Sequence, residues 1–266
     1  MEHNVDPADY LRFTATLTHQ LSRYDDVLAL VALGSMAALD PLPDRFSDHD
    51  FFVIVRSGTQ PWYRENLQWL PEHDRIAFAF QETAHGLKVL YDDRHLLELA
   101  VFDPDELRLA RINRYRVLLD RANLTPVLEE LAARESAPPT VDIRYQSNQF
   151  LTHLLVGLWR YQRGERLSAF RFLRELALQE LVQLTYALET AERPDLRDNL
   201  DPTRRFEQVY PEIGRELAAA LEQPLITGAS RLLDCFERLT ASQTDRPHPV
   251  IAMVREELIA ARAARD

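Results

Sequence analysis

Residues 27–55 read VLALVALGSMAALDPLPDRFSDHDFFVIV, and this stretch decides the fold. The unbroken apolar run from Val27 to Leu33 has the length and composition of a buried strand. Gly34-Ser35 ends it, a short helix from Ser35 follows, and a polar loop leads to Asp48-His49-Asp50. A second apolar strand, Asp50–Val55, starts at the acidic pair. Carboxylates at i and i+2 of a strand point to one face, because side chains alternate with period two. Two like charges held that close repel, and a divalent cation between them relieves the repulsion. The spacing of Asp48 and Asp50 therefore predicts a magnesium site, and magnesium usually arrives with phosphates. Gly34 permits close backbone approach, and Ser35 can cap the short helix with its N-terminus toward an anion.

Working outward, Asp6 is a candidate N-cap and Pro7 the first position of an amphipathic helix running to about Arg23. On the other side, Thr59–Leu70 reads as a helix, followed by three strand-like runs at Arg75–Gln81, Gly86–Tyr91 and His95–Phe102. Asp92-Asp93-Arg94 joins the last two as an antiparallel hairpin. A helix is expected from Asp103-Pro104, and a short edge strand at Arg116–Arg121. The adjacent prolines in Glu135–Thr140 mark a boundary. Beyond it the apolar spacing is helical throughout, at Tyr145–Arg163, Arg166–Thr190, Tyr210–Glu222, Thr227–Thr240 and Val250–Ala264. The expected class is α+β, with a mixed-sheet domain over residues 1–135 and a helical substrate-binding bundle over 140–266.

Composition narrows the chemistry. The 266 residues are 46% hydrophobic and 27% charged, an ordinary globular mix. A net charge of -11 argues against an extended nucleic-acid surface and favours a small-molecule substrate. Cys235 is the only cysteine, so no intramolecular disulfide can form, and a reducing, cytoplasmic setting is expected. The N-terminus lacks a signal-peptide pattern, and no apolar run reaches the roughly 20 residues of a membrane span. Exposed apolar helix faces could pair two chains as a homodimer. There is no G-x-S-x-G elbow, no Walker A loop and no zinc-ligand spacing among the histidines.

A third carboxylate is needed to complete the metal site or to take a proton from an attacking hydroxyl. Glu98 in HLLELAVF is the candidate: an acid in an apolar strand is costly to bury without a purpose, and desolvation suits it to act as a base. An exposed edge strand is the alternative for Glu98, and a simple turn the alternative for Asp48 and Asp50. Lys88 alternates in its strand and reads as pointing outward, His49 as packing or hydrogen-bonding locally. Trp159, Tyr145 and Tyr186 read either as core or as pocket lining.

An apolar strand, Gly-Ser, a variable loop, Asp-x-Asp and a later strand carboxylate together resemble the polymerase-β-like nucleotidyltransferase superfamily. The length, the helical second half and Asp201-Pro202-Thr203-Arg204-Arg205-Phe206-Glu207 look more loosely like the lincosamide and aminoglycoside nucleotidyltransferases. That resemblance implies transfer of a nucleoside monophosphate, from ATP or another nucleoside triphosphate, to a hydroxyl of a small molecule. It implies that Gly34 and Ser35 hold phosphate, that Asp48 and Asp50 bind magnesium and that Glu98 is the base. Arg204 and Arg205 could reach the triphosphate, since guanidinium groups suit phosphate. This chain departs from the pattern at His49, where an apolar residue is usual, and in lacking a glycine soon after Gly34-Ser35. A nucleotidyltransferase acting on a protein or metabolite, or a non-catalytic nucleotide-binding module, are the rival readings.

Overall fold

The computed structural model describes residues 7–37, 43–44, 46–136 and 140–263. The expected cap Asp6, most of the loop after Ser35, and Pro138-Pro139 lie outside the described residues. The chain forms two compact units, Met1–Ala137 and Pro138–Asp266.

The first unit is built on six strands: β1 (Val27–Leu33), β2 (His49–Val55), β3 (Ile76–Gln81), β4 (Gly86–Tyr91), β5 (Leu96–Phe102) and β6 (Tyr115–Asp120). Their order is β3-β4-β5-β2-β1-β6. Only β2 and β5 run parallel; the other neighbours are antiparallel, so the sheet is mixed. Alternation sends Phe51, Val53, Leu97 and Leu99 to one face, where Tyr10, Leu17 and Leu21 of helix α1 (Pro7–Leu21) complete a core. The intervening Ile54, Ala100 and Phe102 pack on the other face against Leu107, Ile112 and helix α4 (Thr125–Ser136). Helix α4 carries Leu128 and Leu131 and does not stand out in the sequence.

Two expected helices are shorter than their sequence pattern. Thr59–Leu70 holds only α3 (Gln60–Glu65): Asn66 is extended, with φ -113 and ψ 115, and Trp69 and Leu70 reach the core from irregular chain. The apolar spacing there reports burial, not helix. After Asp103 there is one 3₁₀ turn at Glu106–Leu109, with the Asp103 carboxylate accepting the backbone N–H groups of Asp105 and Glu106.

The second unit is helical: α5 (Ile143–Gln162), α6 (Arg166–Phe170), α7 (Ala177–Leu188), α8 (Phe206–Val209), α9 (Pro211–Leu221), α10 (Leu225–Leu239) and α11 (His248–Ala263). The segment expected as one helix over Arg166–Thr190 contains a π-helical stretch, Arg171–Leu176, between α6 and α7. Gly157 of α5 faces it so closely that a Cβ there would stand 2.6 Å from Leu173 Cγ. Trp159 and Tyr145 are exposed, Tyr186 is half-buried with its hydroxyl donating to the Pro202 carbonyl, and Cys235 is buried in the bundle. Among the described residues no helix is long and apolar enough to cross a membrane.

Candidate functional site

The antiparallel pairing of β1 with β2, which sets Ala32 opposite Phe51, brings the end of β1 beside the start of β2. Gly34 follows β1 with φ +48, and a Cβ there would lie 3.2 Å from Asp50 Oδ2. The left-handed backbone favours glycine here, and any side chain would press on the Asp50 carboxylate. The Ser35 hydroxyl donates to the Asp48 carbonyl at 3.1 Å, and the Tyr10 hydroxyl donates to the same oxygen at 2.7 Å. Ser35 therefore ties the chain entering β2. Gly34 and Ser35 both belong to helix α2, described over Gly34–Ala37. Burial raises the Tyr10 phenol above its ordinary value, and the negative charges of Asp48 and Asp50 raise it further. Both carboxylates are therefore near the knot formed by Tyr10, Ser35 and the Asp48 carbonyl.

The parallel register of β2 and β5 sets Glu98 directly beside Asp50, on the same face of the sheet. The Glu98 side chain is 40% exposed, so it is only partly buried, and its Oε1 lies 2.9 Å from Lys88 Nζ. The physical reason is position: Glu98 is near the start of β5, whereas Ala100 and Phe102, further along the same face, are covered. Lys88 does not simply point outward either, since its ammonium also meets Glu82 Oε1 at 3.1 Å. The sequence did contain the signal for this pair. A hairpin centred on Asp93 places Lys88 opposite Glu98, five residues either side, and that is the observed register.

His49, between the two aspartates, faces the opposite way and is fully buried. Its ring stacks on Tyr10 at 3.7 Å, its Nε2 lies 3.0 Å from the Thr14 hydroxyl and 3.2 Å from the Tyr10 carbonyl, and its Nδ1 lies 2.7 Å from His95 Nε2. A carbonyl can only accept, so His49 Nε2 carries the proton and Nδ1 accepts from His95 Nε2–H. Burial pulls the His49 pKa down to about 3, with the nearby His95 adding to the effect, and burial lowers His95 as well. The pair fastens α1 to β2 and so fixes the two flanking aspartates. Helix α1 contributes Tyr10 and Thr14 with no sequence signal beyond its amphipathic spacing.

Arg204 and Arg205 belong to the helical unit, where both approach Asp198 Oδ2, at 3.9 and 3.2 Å. Among the described residues no group of three or more His, Cys, Asp or Glu side chains is gathered to hold a metal. Asp48 and Asp50 nevertheless suit magnesium, which commonly takes one or two carboxylates and completes its shell with water and phosphate oxygens.

No family model matches the chain, and no curated protein matches its sequence. Solved structures do. An aminoglycoside 6-adenyltransferase from Bacillus subtilis is similar with a TM-score of 0.39 and 11% identity, over 93% of this chain and 97% of that one. A nucleotidyltransferase-like protein from Exiguobacterium sibiricum 255-15 has a TM-score of 0.36 and 15% identity, over 92% and 79%. The CdnC:HORMA-deltaN complex of E. coli MS115-1 has a TM-score of 0.33 and 14% identity, over 96% and 91%. Likenesses at this level assign no role to any residue.

Proposed function

We propose that this protein is a magnesium-dependent nucleotidyltransferase, moving a nucleoside monophosphate from a nucleoside triphosphate to a hydroxyl of a small molecule. The observation that carries the reading is the wedge of Gly34 against Asp50, with Glu98 in register on the next strand. A glycine backbone lets a phosphate approach closely beside a metal-binding carboxylate. Asp48 and Asp50 would hold magnesium, which when bound neutralises phosphate oxygens and the leaving pyrophosphate. Gly34 and Ser35 form the wall the phosphates meet. Glu98 takes the proton of the acceptor hydroxyl, whose oxygen forms a bond to the α-phosphorus as the bond to the β-phosphate oxygen breaks. The electron pair leaves with pyrophosphate. Catalysis on this account is positioning plus charge stabilisation.

ATP is the proposed donor, and a lincosamide or aminoglycoside the proposed acceptor class, both on the resemblance of the sequence pattern. A net charge of -11 is compatible with a cationic acceptor. The single cysteine fits a reducing cytoplasm. Equilibrium dialysis tests the site assignment: each nucleoside triphosphate is offered with and without magnesium to wild type, Asp50→Asn and Glu98→Gln. The reading expects metal-dependent binding that Asp50→Asn loses and Glu98→Gln keeps, because a base is not a binding group. Binding that ignores both magnesium and Asp50 would remove the aspartates from the site.

A further inference from the structure

Lysine occurs once in this chain: of 31 lysine and arginine residues, all but Lys88 are arginine. Ion pairs elsewhere use guanidinium groups, as on Glu106, Asp198, Glu216 and Glu237. The one ammonium side chain sits on β4, directly opposite Glu98, which is in turn directly beside Asp50. Lys88, Glu98 and Asp50 therefore form one row across three strands, on one face, spanning about 10 Å at two strand spacings. Lys88 Nζ is held between two carboxylates, 2.9 Å from Glu98 and 3.1 Å from Glu82. A permanent bridge between two carboxylates would suit the planar fork of arginine, as where Arg75 spans Asp92 and Asp93. A compact ammonium on a flexible stem is suited instead to changing partners.

We propose that Lys88 is a phosphate-binding residue of the nucleotide site, parked on Glu82 and Glu98 until a triphosphate enters. This rests on the nucleotidyltransferase reading of Asp48, Asp50 and Glu98. On entry one ion pair is exchanged for another: the ammonium leaves Glu98 for a phosphate oxygen, Glu82 keeps it tethered, and the Glu98 carboxylate turns to the acceptor hydroxyl. No bond is made or broken in this exchange. It assigns Glu82, at the end of β3, the role of a positioning residue.

A sole lysine can be read by its own chemistry. The full chain is acetylated with an N-hydroxysuccinimide ester, and Lys88 and the N-terminal amine are followed separately by peptide mass. Magnesium with α,β-methylene ATP is the probe, and its binding is measured by dialysis in the same samples. Bound nucleotide is expected to slow acetylation of Lys88 at least tenfold and to leave the N-terminal amine unchanged. Lys88→Met is expected to weaken nucleotide binding by about tenfold, the worth of one charge-assisted hydrogen bond, and Lys88→Arg to recover part of it. Nucleotide bound with no slowing at Lys88, and undiminished in Lys88→Met, overturns the role of Lys88 and leaves the aspartate site standing. No nucleotide bound to wild type overturns both.

Discussion

The buried pair of His49 and His95 makes the sheet unit sensitive to acid in a defined window. His49 titrates near pH 3 in the fold and at about 6.5 in an unfolded chain. A base whose pKa is depressed by folding leaves the unfolded state binding more protons, so stability falls as pH drops below 6.5 and continues to fall toward 3. Each pH unit costs about 1.4 kcal/mol per group, so moving from pH 7.5 to pH 5 removes about 2 kcal/mol through His49 alone. His95, also lowered by burial, adds to this with the same sign. The depressed carboxylates of this unit, Asp93, Asp103, Asp120 and Glu130, act mainly as pH approaches their ordinary range near 4 and below, outside the window. The assay is urea unfolding in metal-free buffer, in a Trp159→Phe background, so that fluorescence comes from Trp62 and Trp69 of the sheet unit. His49→Gln should flatten the pH dependence by close to one proton. A wild type equally stable at pH 7.5 and pH 5, or a His49→Gln protein with the wild-type slope, would refute the reasoning.

Gly34→Ala forces a side chain into a left-handed backbone and against Asp50, so a stability loss of about 1–2 kcal/mol is expected by urea unfolding. Nucleotide affinity, measured by dialysis on the same variant, should fall further than that strain alone explains, because Asp50 must move. Gly157→Ala drives a methyl to within 2.6 Å of Leu173 Cγ and should destabilise the helical unit by about 1–3 kcal/mol, read by Trp159 fluorescence. Cys235 is buried, its thiol donates to Glu216, and burial pushes its pKa up to about 12. It should therefore stay unreactive toward a thiol-selective disulfide reagent at pH 8 until urea unfolds the bundle.

The sequence was most legible where apolar runs are nearly continuous. Val27–Leu33 is β1 to the residue, because a strand covered on both faces has to be apolar at every position. The mixed-sheet and helical-unit division of labour, the α+β class, was legible for the same reason: the period changes from strand to helix along the chain. Trp69 and Leu70 misled, since an irregular segment can bury large side chains at spacings that imitate a helix. The π-helical stretch at Arg171–Leu176 leaves no mark, because a single register change hardly alters the apolar pattern. Gly34, Ser35, Asp48, Asp50 and Glu98 could be picked out as candidates by residue type. Tyr10, which ties Ser35 and the Asp48 carbonyl, and Thr14, which holds His49, could not, because contacts between a helix and a sheet depend on packing that no local spacing encodes. Lys88 was within reach through the hairpin register and was passed over.

The central claim is chemical turnover at the aspartate pair, and pyrophosphate release tests it most directly. Wild type, Asp50→Asn and Glu98→Gln would be supplied with magnesium, each nucleoside triphosphate in turn, and a panel of lincosamides and aminoglycosides, with product masses read in the same tubes. The account predicts a nucleotidylated acceptor from wild type, no product from Asp50→Asn, and a rate lowered by roughly 10²–10⁴ in Glu98→Gln. Magnesium-dependent release that continues undiminished in Asp50→Asn would contradict it.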